Sequence, residues 1–423
     1  MNAMAQQGRI AALDVVRGVA VMGILAMNIV AFAMPFAAYM NPLAFGMESW
    51  ADMASWVFSF IFIDGKMRGL FSLLFGASML LVMERAEAAG QSPARVHYSR
   101  MVWLLVFGLI HFYFIWYGDI LSGYALIGMI AFFFRGLPPK KLAVWGSVFI
   151  LVELLVVVCF AFHIDQLRDA AWAPGADAAA AREWLELEKQ FGVPSQAVLA
   201  EKMAMFHGPW LGLVHDRLLE RWSEPFAALL YFGWETLAYM LFGMAALKTG
   251  FFRGQWRAID YFKVVAVGLA VTVPAYALLA WVVADEGFSI PMIFAIVIGA
   301  TGLFRPLMVV AYAALFILIA RGRGPLVQRI GAAGRAAFTN YLGTSLLMTT
   351  LFYGYGLGLF GELSRVELWL VVVPMWALML LWSKPWLDRY RYGPLEWLWR
   401  SLARGRIEPM RRALPQATAG AAG

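Results

Sequence analysis

Apolar runs of about 20 residues recur along almost the whole chain, and nothing else in it constrains the fold as strongly. A run of that length crosses the hydrocarbon of a bilayer as one helix, because a helix satisfies its own backbone polar groups in a medium without water. Only 14% of the 423 residues are charged and 62% are hydrophobic, where a soluble domain carries roughly a quarter charged. The expectation is an all-α, polytopic membrane protein. An aromatic content of 15%, with 18 Trp, suits rings placed at the two interfaces.

The chain opens with Arg9-Ile-Ala-Ala-Leu13-Asp14-Val-Val-Arg17-Gly18 and stays apolar to about Ala33. This stretch is longer than the roughly 7–15 residues of a signal-peptide core, so it reads as an uncleaved first span despite a peptidase-like Ala31-Phe32-Ala33. A short apolar segment, Trp56 to Ile63, is broken by Asp64-Gly65-Lys66-Met67-Arg68-Gly69, and a second span follows to about Met83. The third leads to His111, the fourth runs from Asp119 to Phe134, and the fifth, carrying Glu153, ends near Phe162. Residues 163–224 turn polar and predict two or three short amphipathic helices. Later spans are expected at 225–247 with Glu235 inside, 261–283, 289–320 with Arg305 midway, 332–353 and 368–382.

About ten spans result, and every second loop carries the Lys/Arg excess, which places both termini in the cytoplasm and 163–224 outside. Four regions follow: N-terminal spans 1–162, an extracytoplasmic segment 163–224, C-terminal spans 225–383, and a basic cytoplasmic tail 384–423. The net charge of +7 falls in these short loops, so it reads as a determinant of topology and nucleic acid is not an expected partner. The single cysteine, Cys159, rules out an intramolecular disulfide. Five scattered histidines give no metal motif.

Against so apolar a background each ionisable group at membrane depth is a candidate for function. The stretch Gly108-Leu-Ile-His111 to Gly118-Asp119-Ile-Leu-Ser122 places a histidine at the end of one span and an aspartate at the start of the next. A histidine oriented by an aspartate can take a proton from a nucleophile. Equally, His111 can donate to a backbone carbonyl while Asp119 caps the next helix. Charge parity puts Asn28, Asp64, Lys66, Arg68, His111, Asp119 and Glu235 toward the outer side. It leaves Asp14, Arg17 and Arg335 at an inner cationic mouth, where guanidinium groups suit a phosphate-bearing ligand such as a coenzyme. Asp14 and Arg17, three apart on one helix, can also simply pair with each other.

Several motifs in order carry a resemblance. They are Leu13-Asp14-Val-Val-Arg17-Gly18 with Gly23-Ile-Leu-Ala-Met-Asn28, Lys66-Met-Arg-Gly-Leu70-Phe-Ser-Leu-Leu-Phe75-Gly76, and the His111–Asp119 stretch. In the C-terminal half they are Gly334-Arg335-Ala-Ala-Phe-Thr339-Asn340-Tyr341, Tyr353-Gly-Tyr355-Gly-Leu-Gly-Leu-Phe-Gly361 and Gly393-Pro394-Leu-Glu396-Trp397-Leu-Trp-Arg400. Over nearly its whole length the chain resembles the YeiB-like family of bacterial multi-pass inner-membrane proteins, with that family's C-terminal domain of unknown function. The Leu-Asp-x-x-Arg-Gly opening is similar to that of transmembrane acyltransferases of the heparan-α-glucosaminide N-acetyltransferase type.

That wider resemblance implies transfer of an acyl group from cytoplasmic acyl-CoA to an acceptor at the outer face, with a membrane-embedded histidine involved. On this reading His111 and Asp119 are catalytic, and Arg17 and Arg335 lie near the acyl-CoA. Asn28, Asp64, Lys66, Arg68, Glu235 and Asn340 then contact substrate. No metal is expected. The expected partners are membrane lipids and a small-molecule or glycan acceptor, and a homodimer is left open. The rival reading is a proton-coupled transporter or exporter of a small solute, with Glu153, Glu235, Arg305, His111 and Asp119 as a relay. The absence of a convincing internal repeat counts modestly against it.

Overall fold

The computed structural model describes residues 11–175, 177–322 and 324–412. Arg9 and the end of the basic tail, from residue 413, lie outside the described residues. Every regular element among the described residues is helical, and the one β-bridge, Tyr390 with Arg411, is isolated.

The helices that matter for the argument are α1 (Ala11–Ala33), α2 (Trp50–Phe62), α3 (Lys66–Ala88), α4 (Pro93–Ile110), α5 (Leu121–Ala131) and α6 (Pro139–Trp172). Three short ones follow, α7 (Ala178–Phe191), α8 (Gln196–His207) and α9 (Trp210–Leu219). The remainder are α10 (Glu224–Lys248), α11 (Ala258–Asp285), α12 (Thr301–Ala320), α13 (Pro325–Arg335), α14 (Ala337–Phe352), α15 (Trp369–Arg389) and α16 (Pro394–Arg404). Proline occupies the first position of α4, α6, α13 and α16, where its missing N–H costs nothing. Ser49 and Asp52 form a capping box at the start of α2.

Eight helical stretches among the described residues are long and apolar enough to cross a membrane. The protein is a polytopic helical membrane protein. Against about ten expected spans, two of the sequence's candidates fall short of that length. Leu121–Phe134 is a shorter apolar helix. The expected span 332–353 is divided at Ala336 into α13 and α14, because a carboxylate from elsewhere starts a new helix there. Glu396 Oε1 accepts from the backbone N–H of Phe338 at 2.7 Å and of Thr339 at 3.1 Å. Its Oε2 accepts from the Thr339 hydroxyl at 2.6 Å. The first-turn donors of α14 are thereby capped from α16.

The fifth expected span runs ten residues further than Phe162, to Trp172, as one helix. At 1.5 Å per residue it is about 50 Å long, more than a bilayer core.

Helix α1 is the hub. Of its apolar window 83% is buried inside the protein, against 11% for α6 at the periphery. Around it stand α3, α12, α13, α14 and α15. Helix α13 approaches it at backbone distance: a Cβ on Gly18 would strike the Ile330 carbonyl, and one on Gly334 the Asp14 carbonyl. Such contacts between small residues are how helices pack where no hydrophobic drive distinguishes protein from lipid. Between α2 and α3 the chain turns at Gly65, whose φ of +71° is left-handed and whose missing side chain admits Arg305.

Candidate functional site

At the C-terminal end of α4 the helix widens into a π-turn, His111–Ile115, and then breaks at Trp116 into extended backbone. A π-turn is a local insertion that re-aims side chains and is frequent at functional sites. Here it turns His111 inward, where its side chain is fully buried. His111 Nδ1 lies 2.9 Å from Asp119 Oδ1, and Asp119 is equally buried. The other carboxylate oxygen, Oδ2, accepts from Ser122 N at 2.8 Å and from Ser122 Oγ at 2.7 Å. Asp119 therefore both caps α5 and holds the imidazole, so the two roles open at the level of sequence coexist in one side chain.

With Nδ1 engaged, Nε2 is left. It is buried and has no hydrogen-bond partner. Around it stand the rings of Tyr341, at 5.3 Å between centroids, and Trp116, at 6.2 Å. Both rings also wall a small cavity lined by Val21, Ile24, Leu25, Asn28, Phe32, Thr344 and Ser345. Two further buried polar atoms of that wall, Trp116 Nε1 and Thr344 Oγ1, lack partners as well. Buried polar groups are nearly always paired, so two orphans on the lining of one cavity, with His111 Nε2 behind the Trp116 and Tyr341 rings, mark a place suited to something polar. The cavity has room for about one water.

The other candidates separate into different places. Asp64 lines a second cavity with Tyr39, Ser55, Ser59 and Arg365. That cavity abuts the opposite face of α1, at Ala26, Met27, Ile29 and Val30. Lys66 is buried with Nζ 3.4 Å from the centroid of the Tyr276 ring, and it donates to the Phe60 carbonyl. Arg68 pairs with Glu235. Glu235 is shared: its Oε1 also accepts from Arg305 NH1 at 2.6 Å, and Arg305 NH2 donates to Thr301 Oγ1 at 2.6 Å. Glu153 lies within the field of this cluster and its Oε2 is unpartnered. Among the described residues no hydrogen bond joins Glu153, Glu235 or Arg305 to His111 or Asp119.

Asn340 is engaged by the protein itself. Its amide donates to the Ala333 carbonyl at 3.0 Å and to Ser383 Oγ at 3.3 Å, and its oxygen accepts from Trp382 Nε1 at 2.8 Å. It ties α14 to α13 and α15.

The far end of α1 is basic. Arg17 donates to Asp14 Oδ1 at 3.3 Å and to Ser78 Oγ at 2.6 Å, and Arg335 ends the helix packed beside Asp14. The arginines missed at the level of sequence are Arg100, whose guanidinium lies 4.1 Å from the Trp399 ring centroid, and Arg400. Burial pushes the Arg400 guanidinium below its ordinary range. Tyr392 opposes that shift and the charge of Arg404 adds to it; Glu396 opposes it and Arg17 adds to it. Arg17 of α1 and Arg404 thus act on Arg400 of α16, and Arg400 and Arg404 act on Arg100 of α4.

Sequence reasoning also missed Ser122, Trp116, Tyr341 and Thr344. Only Ser122 had a local signal, standing three residues after Asp119. The others reach the site through packing of distant segments.

Comparison with known proteins adds the lineage. The chain is 35% identical over 401 residues to the uncharacterized protein YeiB of Escherichia coli strain K12, covering 92% of this chain and 95% of the relative. It is 32% identical over 412 residues to the uncharacterized protein YxaH of Bacillus subtilis strain 168, covering 93% and 94%. The chain belongs to the YeiB family. Residues 246–406 match the model for a protein of unknown function (DUF418). That match takes in Arg335, Asn340 and Glu396 and leaves His111 and Asp119 outside. An uncharacterized 39.9 kDa protein encoded 3′ of an amylase in Bacillus acidopullulyticus is 24% identical over 416 residues, covering 97% and 98%. No solved structure matches the chain.

Proposed function

We propose that the protein is a membrane-embedded acyltransferase of the bacterial inner membrane, which moves an acyl group from cytoplasmic acyl-CoA to an acceptor at the outer face. The observation that carries the reading is the buried chain Ser122–Asp119–His111, ending in an unpartnered Nε2 beside a cavity lined with unpaired polar atoms. Asp119 fixes the tautomer, with the proton on Nδ1 and the lone pair on Nε2. The acceptor's hydroxyl or amine would give its proton to Nε2 as its oxygen or nitrogen attacks the thioester carbonyl. The C–S bond then breaks and the coenzyme A sulfur leaves, taking the proton back from the imidazolium. Trp116 Nε1 and Thr344 Oγ1 are the donors available to the oxyanion of the tetrahedral intermediate.

Two further features support the reading. The basic end, with Arg17, Arg100, Arg400 and Arg404, suits the phosphates of a coenzyme. The opposite end is covered by α8 and α9. The wider acyltransferase resemblance of the opening motif points the same way.

The test is binding and transfer with detergent-purified protein. Saturable acyl-CoA binding weakened by Arg17→Ala, with acyl transfer abolished by His111→Ala and binding retained, supports the assignment. Transfer that survives His111→Ala refutes the role of His111. No binding at millimolar acyl-CoA refutes the enzyme.

One observation favours a second reading, a proton-coupled transporter. The buried Glu153 carboxylate, with an unpartnered oxygen beside Arg68, Glu235 and Arg305, is a group that a proton relay would use. Substrate-dependent proton flux in proteoliposomes free of acyl-CoA, lost in Glu153→Gln, distinguishes it.

A further inference from the structure

The covered end of the molecule contains a cation without a counter-charge. Helix α9 is seated on the π-turn: Trp210 Nε1 donates to the Phe114 carbonyl at 2.8 Å, and Tyr113 OH to the Trp222 carbonyl at 2.7 Å. Helix α8 is seated on the loop after α14. Gly354 N donates to the Phe206 carbonyl at 2.9 Å, and His207 Nε2 lies 2.8 Å from the Phe360 carbonyl. Phe206 stacks on Phe360 with centroids 4.3 Å apart. Near the end of α9 stands Arg217, only 2% exposed.

Arg217 forms no hydrogen bond or ion pair with any of the described residues, and its NH1 is among the buried atoms without a partner. The charge interactions that it feels most come from Tyr353, Arg221, Tyr355 and Tyr117, and no carboxylate is among them. Arg221 does not need Arg217's help or compete for its partner, since it is itself paired with Glu224 at 2.6 Å. Burial pushes the Arg217 guanidinium below its ordinary range, the Tyr353 phenol opposes the shift and Arg221 adds to it. The Tyr353 hydroxyl is a second buried orphan. A guanidinium left buried and unpaired destabilises the fold unless a ligand compensates it. Its planar fork matches an oxyanion, and a phenol beside it adds a neutral donor.

We propose that Arg217 and the Tyr353 hydroxyl form an oxyanion-binding site, for a carboxylate or a phosphate, on the molecule that approaches the His111 cavity from the covered end. The site adjoins that cavity through the chain itself. Tyr117, within the field of Arg217, directly follows Trp116 of the cavity wall, and its hydroxyl donates to the Ala31 carbonyl of α1 at 2.8 Å. Identifying that molecule as the acyl acceptor rests on the function proposed above. The anion site does not.

The experiment is thermal unfolding of the detergent-purified full chain at constant ionic strength, titrated with sodium phosphate, sodium acetate or phosphatidylglycerol micelles. In wild type one of the three raises Tm saturably, and in Arg217→Met it does not. A response to phosphate or acetate identifies a free anion. A response to phosphatidylglycerol alone identifies a lipid headgroup. Without ligand, Arg217→Met unfolds at a higher temperature than wild type, because it removes an uncompensated buried charge; a lower Tm overturns the proposal by making Arg217 structural.

Arg217→Lys, which keeps the charge and loses the fork, binds the same probe roughly 10- to 100-fold more weakly. Tyr353→Phe weakens it by a smaller factor. Equal shifts in wild type and Arg217→Met, or no shift with any probe in wild type, overturn the proposal. None of these measurements uses acyl-CoA or turnover. Intact anion binding with no acyl transfer would therefore fail the acyltransferase reading alone.

Discussion

Two buried polar clusters stand on different sides of this bundle, and they are finished to different degrees. Around Glu235 both carboxylate oxygens meet a guanidinium, and each arginine finds a threonine hydroxyl as well. Around His111 the chain of bonds runs from Ser122 through Asp119 and stops at an open Nε2. A carboxylate bonded at both oxygens ties helices together, here α3, α10 and α12, although Arg305 Nε in the same cluster has no partner. An imidazole left open at one nitrogen carries a free-energy cost that a bound molecule can offset. The difference suggests a division of labour, in which one cluster holds the bundle and the other awaits a ligand.

The sharpest way to break that comparison is Glu235→Ala, which strands two buried arginines. It should cost about 3–5 kcal/mol, read as a large fall in Tm in detergent. A fall no larger than that of a surface substitution would mean that the cluster holds nothing.

His111→Ala should lower Tm less than Glu235→Ala, since Asp119 keeps both of its bonds from Ser122, while slowing acyl transfer by roughly 10²- to 10⁴-fold. A Tm drop as large as that of Glu235→Ala would place both clusters in the same structural role.

Between these falls Glu396→Gln, which keeps the shape of the α14 cap and removes its charge. About 1 kcal/mol of stability should be lost, because the carboxylate faces the positive end of that helix. As α14 carries Tyr341 and Thr344, acyl transfer should weaken with it.

The smallest effect is expected of Thr344→Val. Its hydroxyl is buried without a partner, so an apolar group of the same shape should leave Tm unchanged or slightly raised. A clear fall would show that the hydroxyl is already satisfied in the resting protein.

The local signals in the chain correspond to single-helix properties. His111 and Asp119 were visible because both sit in one short stretch, and the polar side chain of each contrasts with its apolar surroundings. The Arg68–Glu235 and Arg305–Glu235 pairs were visible only as isolated charges, since their partners lie 167 and 70 residues apart. Glu396 looked like part of a motif in the tail, and its task, capping a helix that begins 59 residues earlier, has no expression in local spacing. The residues that charge parity puts toward the outer side separate into two cavities divided by α1 and into the Arg68–Glu235–Arg305 cluster. Parity fixes depth along the membrane normal, and it carries no information about rotation around a helix axis.

The sequence alone determined that this is an all-α protein of the membrane, because hydrocarbon admits no other way for repeated apolar runs to satisfy their backbone. It also located the histidine and aspartate, because ionisable groups are conspicuous where they are costly. Tertiary structure decided which charges are neutralised and which are left open. That depends on which atoms of distant helices come within about 3 Å of one another, a distance far shorter than any pattern of hydrophobicity along the chain can specify.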